Sequence, residues 1–242
     1  GIPIDLQCDT RDPDRLFANN YQGGNFLSED GGATWQNAST GYSGAQVIGV
    51  AVDPSNPARV YATARSGAWV SQDGGATWDG IHNPEESNSL TGVECGSVGI
   101  DPGQAGRVLL TCYSGFFTLD PTSNRWRQDP TPAGIHPGTS EIEFAPSDPR
   151  TIYVTSASHN TMIHRDVYED GWGILASHGG GDTWQAITGD ALQDAVTSDV
   201  AVDPADANVV FVAAENGLFK TEDGGASWTL ASSLMQDLPV RT

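Results

Sequence analysis

At 242 residues, the chain is long enough to bury a sizeable core, as one domain or as part of a larger one. Its 31 acidic residues outnumber 11 basic ones, so the formal net charge is −20, and a field of this sign repels nucleic acid and anionic membranes. No apolar stretch approaches the roughly 18 residues that a membrane-spanning helix needs, so we expect neither a nucleic-acid partner nor a membrane span in this segment.

Short apolar runs, separated by Gly-, Pro-, Asn- and Asp-rich clusters, continue through the whole chain. With 29 glycines and 7 tryptophans, this pattern is typical of an all-β protein with many turns. The chain begins at Gly1 without a signal-peptide pattern. This indicates either that a signal was removed or that the sequence is a fragment.

Two short strands open each repeat of the chain. In the second repeat they are 50–52 and 60–62, joined by a turn that begins at Asp53 and Pro54. Proline presets φ in such a turn, and Asp or Asn side chains bond the local backbone. Similar strand pairs are predicted around 4–18, 98–110, 142–154 and 200–212.

An eight-residue motif, Ser-x-Asp-Gly-Gly-x-Thr-Trp, follows each strand pair after a third short strand. We call it the Asp-Gly-Gly motif. Its tryptophans are 43, 48, 58 and 44 residues apart, and periods of this size mark propellers or solenoids. The fourth copy has Gly179 in place of Asp, and the third copy is degenerate and one residue longer. In chain order the copies are 28–35, 71–78, 118–126, 177–184 and 221–228.

A fourth strand begins at each tryptophan, so every repeat predicts four antiparallel strands, the content of one propeller blade. We predict a single propeller domain or propeller fragment, with a next blade starting at 239–242. The predicted blades are about 4–38, 46–81, 93–128, 140–188 and 197–231.

The Asp-Gly-Gly motif has a predicted structural role. Its carboxylate can accept N–H bonds across the turn, its glycines can take positive φ, and its tryptophan can fill the wedge beside a neighbouring blade. The residues assigned this role are Ser28, Asp30, Gly32, Trp35, Ser71, Asp73, Gly75, Trp78, Trp126, Trp184, Asp223, Gly225 and Trp228.

These motifs resemble Asp-boxes, also called BNR repeats, and the resemblance to Asp-box β-propellers covers essentially the whole chain. That superfamily includes sialidases, xyloglucan-hydrolysing tandem propellers, sortilin-type receptor domains and photosystem-assembly propellers. The resemblance implies an all-β propeller of four-stranded blades, with five blades visible and the start of a sixth. Both enzymes and binders share the motif, so it does not imply an activity. A ring of six to eight blades, a tandem array and a closed five-bladed ring all stay open, and further blades could come from the same or another chain.

The loops after the second and fourth strands of a blade lie on the face opposite the Asp-Gly-Gly motifs. Long loops on a repeat scaffold often bind ligands, and the insertion at 156–172 is the longest here. Solvated loop residues are the alternative interpretation. No His pair has a tight ligand spacing, so we predict no metal site and no cofactor. The candidate binding residues on this loop face are Tyr21, Tyr42, His82, Tyr113, His136, His159, His164, Tyr168 and Trp172.

The resemblance includes two classes of enzyme. Sialidases need an arginine cluster and an Arg-Ile-Pro signature, which this acidic chain lacks. Xyloglucan hydrolases carry a catalytic Asp just after the second strand of the first blade, where this chain has Tyr21. Glycoside hydrolysis normally needs two carboxylates. A hydrolase with its carboxylates elsewhere, at Glu169, Asp170, Glu215 or in a missing blade, remains the alternative.

The preferred hypothesis is therefore a non-catalytic propeller, secreted, on the cell surface or periplasmic, that binds a protein or a glycan. The cysteines bear on the compartment. Pairing Ile100 with Val108 puts Cys95 opposite Cys112, which predicts a disulfide and an oxidising compartment. Two buried free thiols are the alternative. We expect Cys8 to be buried in the first strand.

Overall fold

The computed structural model describes twenty β-strands and no helix within the residues given below. That part of the chain accordingly holds no helix with the length and apolar character needed to cross a bilayer. The described residues are 2–9, 11–21, 24–38, 47–64, 67–81, 90, 95–112, 115–120, 125–130, 132, 141–155, 173–193 and 195–232.

The strands form five four-stranded antiparallel sheets, each made of consecutive strands in chain order. Blade one contains β1 (Ile2–Cys8), β2 (Leu16–Tyr21), β3 (Gly24–Ser28) and β4 (Gln36–Asn37). Blade two contains β5 (Val47–Val52), β6 (Val60–Ala64), β7 (Gly67–Ser71) and β8 (Asp79–Gly80). Blade three contains β9 (Cys95–Ile100), β10 (Val108–Cys112), β11 (Gly115–Asp120) and β12 (Arg125–Gln128). Blade four contains β13 (Ile142–Phe144), β14 (Ile152–Thr155), β15 (Ile174–Ser177) and β16 (Gln185–Ala186). Blade five contains β17 (Thr197–Asp203), β18 (Asp206–Ala214), β19 (Gly217–Thr221) and β20 (Thr229–Leu230).

The first strands of consecutive blades contact one another, β1 with β5, β5 with β9, β9 with β13 and β13 with β17. This succession makes the fold a β-propeller, with the first strands innermost. Strand pairing also fixes which positions correspond between blades. Val60, for example, pairs with Val52 on one side and Ser71 on the other, as Val210 pairs with Val202 and Thr221.

Among the described residues, the apolar core lies between the blades, in four separate clusters that each join two consecutive blades. Phe17 of blade one packs against Trp78 of blade two with ring centroids 5.6 Å apart. The Trp78 indole also donates to the carbonyl of Ala38 in blade one at 2.7 Å. In the same way, Trp184 of blade four packs on Phe116 of blade three at 4.9 Å. Each motif tryptophan with a preceding blade therefore anchors its own blade to that neighbour.

Blade one departs from this pattern on the side that faces away from blade two. Leu6 on β1 is 56% exposed and Trp35 is 40% exposed. Cys8 is exposed as well, so the prediction that it is buried was wrong. Cys8 is exposed because its side chain points away from blade two, and no apolar cluster among the described residues covers that side of the strand.

Strands β9 and β10 are cross-linked by a disulfide between Cys95 and Cys112. The two residues oppose each other in the strand pairing. Both are completely buried, within the cluster between blades two and three. The bridge therefore ties the first two strands of blade three inside the apolar core.

Candidate functional site

The Asp-Gly-Gly motif of blade two forms a closed hydrogen-bonded turn. The Ser71 hydroxyl donates to Asp73 Oδ1 at 2.7 Å and accepts from the Gly75 amide at 2.8 Å. The Thr77 amide and hydroxyl donate to the two Asp73 oxygens at 2.8 and 2.5 Å. The motifs of blades one and five repeat this set of bonds, with Thr221 and Ser227 replacing the two hydroxyl residues in blade five. Both carboxylate oxygens are thus engaged within the turn.

These bonds keep the motif carboxylates ionised. The Thr77 hydroxyl, followed by its amide, lowers the pKa of Asp73 to about 2. The hydroxyls of Ser227 and Thr221 similarly lower the pKa of Asp223 to about 2. A general acid must carry its proton at the working pH. These carboxyl groups therefore suit a structural role and not proton donation near neutrality.

The two glycines of the motif permit close contact with other segments. The Gly74 amide donates to the Ala58 carbonyl, in the turn between β5 and β6, at 2.7 Å. Gly75 has φ of +92°, and a Cβ there would lie 2.6 Å from the Phe17 ring in blade one. A larger residue would push the blades apart. The motifs thus lie on the same face as the turns between first and second strands, as the sequence predicts.

The fourth motif lacks its Asp and makes a different contact. Ser177 still accepts from the Gly181 amide at 2.8 Å, but Gly179 offers no carboxylate. Asp182 instead pairs across the blade boundary with Arg127 of blade three at 3.2 Å. Arg127 also pairs with Asp129 at 2.9 Å. This motif thus makes an exposed ion pair with the preceding blade and has no carboxylate bonds within its own turn.

Asp129 is the buried centre of this network. It accepts from the Thr118 hydroxyl at 2.5 Å, and burial raises the pKa of its carboxyl while the Thr118 bond and the Arg127 charge oppose the rise. Arg107 donates to the Gly180 carbonyl and pairs with Asp101 at 2.8 Å. Because a buried carboxylate is costly without partners, these contacts are best explained as stabilising the boundary between blades three and four.

Restoring the missing carboxylate is expected to stabilise the protein. A Cβ at Gly179 would have no neighbour closer than 3.9 Å, so Asp fits there. We expect Gly179→Asp to raise the free energy of unfolding by about 1 kcal/mol more than Gly179→Ala, because only Asp regains hydrogen bonds to Ser177 and Thr183. Urea unfolding of both variants measures the difference. Equal stability of the two would contradict this account of the motif.

Two carboxylates on innermost strands form a second candidate site. Glu143 lies on β13 and Asp199 on β17, and each is half-buried. Burial, and then the charge of Asp199, raise the pKa of Glu143 to about 7. Burial also raises the pKa of Asp199, against a bond from the Val200 amide at 2.8 Å. Near neutrality Glu143 can therefore hold or release a proton, as acid–base chemistry requires.

This pair was not predicted from the sequence, although a signal was present. Glu143 interrupts an otherwise apolar strand, at a position where the other innermost strands place uncharged residues, Gln7, Ala51, Gly99 and Ala201. A charge among uncharged residues marks an unusual position. The sequence alone does not reveal that Asp199 lies close enough to act on it.

The charge state of Glu143 gives a pH-dependent prediction. The pKa of Glu143 is higher in the folded protein than the ordinary 4.5. The stability that comes from its protonation is therefore fully present below pH 4.5 and is lost as pH rises through about 7. We expect Glu143→Gln to exceed the wild type by about 2 kcal/mol in unfolding free energy at pH 8, and to match it near pH 4.

Unfolding in urea at a series of pH values checks this. Glu29→Gln removes the same charge from an exposed position, and it should shift the stability little at any pH. A Glu143→Gln curve that runs parallel to the wild-type curve from pH 4 to 8 would contradict the assignment.

Most predicted binding residues fall outside the described residues. Tyr21 is the last residue of β2. Glu215, a candidate carboxylate, follows β18, and its amide donates to the Val196 carbonyl at 3.0 Å. Outside the described part lie the predicted next blade at 239–242 and the candidates Tyr42, His82, Tyr113, His136, His159, His164, Tyr168, Glu169, Asp170 and Trp172.

The described residues bring together no group of three His, Cys, Asp or Glu side chains placed to hold a metal ion. Groups with shifted pKa values among the described residues include the motif carboxylates, Asp129 at the boundary between blades three and four, and the pair formed by Glu143 and Asp199.

No protein-family model and no curated protein matches this chain. Several solved structures do resemble it. An ancestral GH74 enzyme aligns with a TM-score of 0.76 at 18% identity, covering 98% of this chain and 32% of that one. The GH74 xyloglucanase from Xanthomonas campestris aligns with 0.67 at 17% identity, covering 90% and 36%. YCF48 from Cyanidioschyzon merolae aligns with 0.56 at 15% identity, covering 98% and 87%.

The chain thus spans about a third of the length of these GH74 enzymes. At such low identities the likeness concerns the fold, which the neighbours and the five four-stranded sheets together show to be a β-propeller.

Proposed function

We propose that this chain is a non-catalytic propeller, secreted, cell-surface or periplasmic, whose loop face binds a protein or a glycan. The locked carboxylates of the Asp-Gly-Gly motifs support this most directly. In three motifs on one face, the carboxylates accept hydrogen bonds within their own turns. These bonds support a structural role for that face. The sequence predicts the long loops on the opposite face, where repeat proteins usually bind.

The motifs themselves are best assigned as Asp-boxes of one propeller domain or part of one. The repeated bonding of Ser or Thr, Asp, and Thr or Ser in blades one, two and five supports the assignment. The absence of an Asp at the end of β2, where Tyr21 stands, supports a binder over a hydrolase of the xyloglucan type.

A labelled protein on a glycan array tests this proposal. Binding without turnover is expected, with loss on Trp172→Ala or Tyr168→Ala, two residues that the sequence predicts on the loop face. Thr77→Ala on the motif face is the matched control, and it should leave binding unchanged. Binding that Thr77→Ala abolishes while both loop variants retain it would place the site on the other face and refute the proposal.

A glycoside hydrolase is the second candidate, and the pair formed by Glu143 and Asp199 favours it. Hydrolysis of a glycosidic bond uses two carboxyl groups, one of them protonated. A pKa of about 7 suits Glu143 to the role of the protonated group. Release of reducing sugar from a β-glucan, lost in Glu143→Gln while glycan binding persists, would establish the hydrolase and overturn the binder.

A further inference from the structure

The boundary between blades four and five differs from two other boundaries in how its sides are held together. Between blades one and two, the Arg15 guanidinium donates to the Gly74 carbonyl at 3.1 Å. Between blades three and four, Arg107 donates to the Gly180 carbonyl. Both arginines directly precede the second strand of their blade, and Thr151 holds that place in blade four. Among the described residues, no arginine or lysine forms a bond from blade four to blade five.

The contacts across this boundary are apolar or uncharged. The Tyr153 hydroxyl donates to the Ala207 carbonyl at 2.8 Å, and the Trp228 indole donates to the Ile187 carbonyl at 2.6 Å. An apolar cluster that includes Val200 fills the space between the two blades. The described part of the boundary therefore has no ion pair that could offset a charge buried within it.

Glu143 brings a carboxyl group into this boundary. It pairs with Tyr153 in the sheet, and Gly99 holds the same place in blade three. A Cβ at Gly99 would lie 2.8 Å from Ile142 of the next blade, so this place directs a side chain towards the following blade. Glu143 is thus directed towards blade five, and it is half-buried. Burial, and then the charge of Asp199 on blade five, raise the pKa of Glu143 to about 7.

The charged groups around Glu143 are all acidic within the described part of the chain. Strand β13 packs against β9, β10, β14 and β17. Strands β9 and β10 contain no acidic or basic residue, and their two cysteines form the disulfide. In β14, burial raises the pKa of Tyr153 to about 12, so its phenol stays neutral near neutrality. Strand β17 carries Asp199 and Asp203, and Glu141 directly precedes β13.

The buried carboxyl group of the preceding boundary has a different environment. Burial raises the pKa of Asp129, but the charges of Arg127 and Arg107 oppose the rise, and the Arg127 guanidinium lies 2.9 Å from the carboxylate. Positive charge therefore stabilises ionised Asp129 inside a closed boundary. Ionised Glu143 has no such partner among the described residues, so its charge is stabilised only where water reaches it.

We propose that the boundary between blades four and five responds to pH: it is closed when Glu143 is protonated and opens locally when Glu143 is ionised above neutral pH. The open form exposes the apolar cluster between the two blades and lets water reach the carboxylate. The opening differs from global unfolding, because the boundary between blades one and two stays closed.

The direction of the response follows from linkage. The ordinary pKa of the Glu143 carboxyl is 4.5, against about 7 in the closed boundary. The balance therefore shifts towards the open form as pH rises from 4.5 to about 7. Above that range the carboxyl is ionised in both forms, and the shift levels off.

Thiol labelling of the full chain at two equivalent buried positions tests the opening. Ala214 and Ala64 each end the second strand of their blade. Both are completely buried, in the clusters between blades four and five and between blades one and two. Ala214→Cys reports on the proposed opening, and Ala64→Cys is the matched control. Both are made together with Cys8→Ala, which removes the exposed native thiol.

Each labelling rate is divided by the rate of the same variant in urea at the same pH, which removes the ionisation of the thiol itself. The normalised rate for Ala214→Cys is expected to rise about tenfold between pH 6 and 8, with little change for Ala64→Cys. Adding Glu143→Gln should abolish the rise. Adding Asp199→Asn should leave a smaller rise that levels off at lower pH, because the neighbouring charge is gone.

Three results would overturn the proposal. One is a normalised rate for Ala214→Cys that does not change with pH. Another is a rise that persists when Glu143→Gln is added, because a different group would then control the boundary. The last is an equal rise for Ala64→Cys, because the whole protein would then unfold instead of opening at one boundary.

Discussion

Replacing Trp78 by alanine is expected to lower the free energy of unfolding by about 3–5 kcal/mol, the cost of deleting a fully packed aromatic side chain. The indole is 3% exposed, packs on Phe17 and donates to Ala38, so its removal opens a cavity and leaves a carbonyl unpaired. Urea unfolding followed by circular dichroism measures the loss.

Trp35→Ala is the matched control for this change. The two tryptophans hold the same place in consecutive motifs, but Trp35 is 40% exposed and its indole donates within its own turn, to Gly32 at 3.1 Å. We expect a loss of about 1 kcal/mol or less. Equal losses for the two variants would mean that the blade boundary is not what makes Trp78 important.

The second large effect concerns the disulfide of blade three. Removing it by the double change Cys95→Ala and Cys112→Ala is expected to cost about 3 kcal/mol, for a bridge that closes a loop of 17 residues. For a protein of this size, that corresponds to a fall in Tm of roughly 6–12 °C. Thermal unfolding of the variant measures it, and wild-type protein in a strong reductant should shift in the same direction.

Cys8→Ala provides the control, since this cysteine is exposed and lies outside the bridge. Its Tm should stay within about 2 °C of the wild type. Alkylation before and after reduction, followed by mass spectrometry, should reveal two thiols that appear only on reduction. Three thiols that react in the folded protein without reductant would contradict the bridge.

Repetition made the fold predictable. Each tryptophan marks where a fourth strand starts, and each Asp-Pro turn marks where two strands join, so strands and sheets follow from local chemistry. The pairing of Ile100 with Val108 was likewise predictable and appears in the sheet. The position of Cys8 was not predictable, because a strand sequence does not state which of its sides has a neighbouring blade.

The candidate site was less accessible to prediction. The carboxylates of the motifs could be assigned to turns because their partners lie two and four residues away. The pKa of Glu143 depends on burial between two blades and on Asp199, which lies far along the chain. Such a contact requires knowledge of how blades stack, and a single sequence does not carry it.

The direction of the blade contacts has a consequence for synthesis on the ribosome. Trp78 contacts blade one, Trp184 contacts blade three and Trp228 contacts blade four. Each of these tryptophans therefore contacts a blade that is synthesised before its own. When a motif leaves the ribosome exit tunnel, the surface that receives it has therefore been available for a whole repeat. Folding can therefore proceed blade by blade during synthesis. Each tryptophan can be buried as soon as the turn of its own motif has formed.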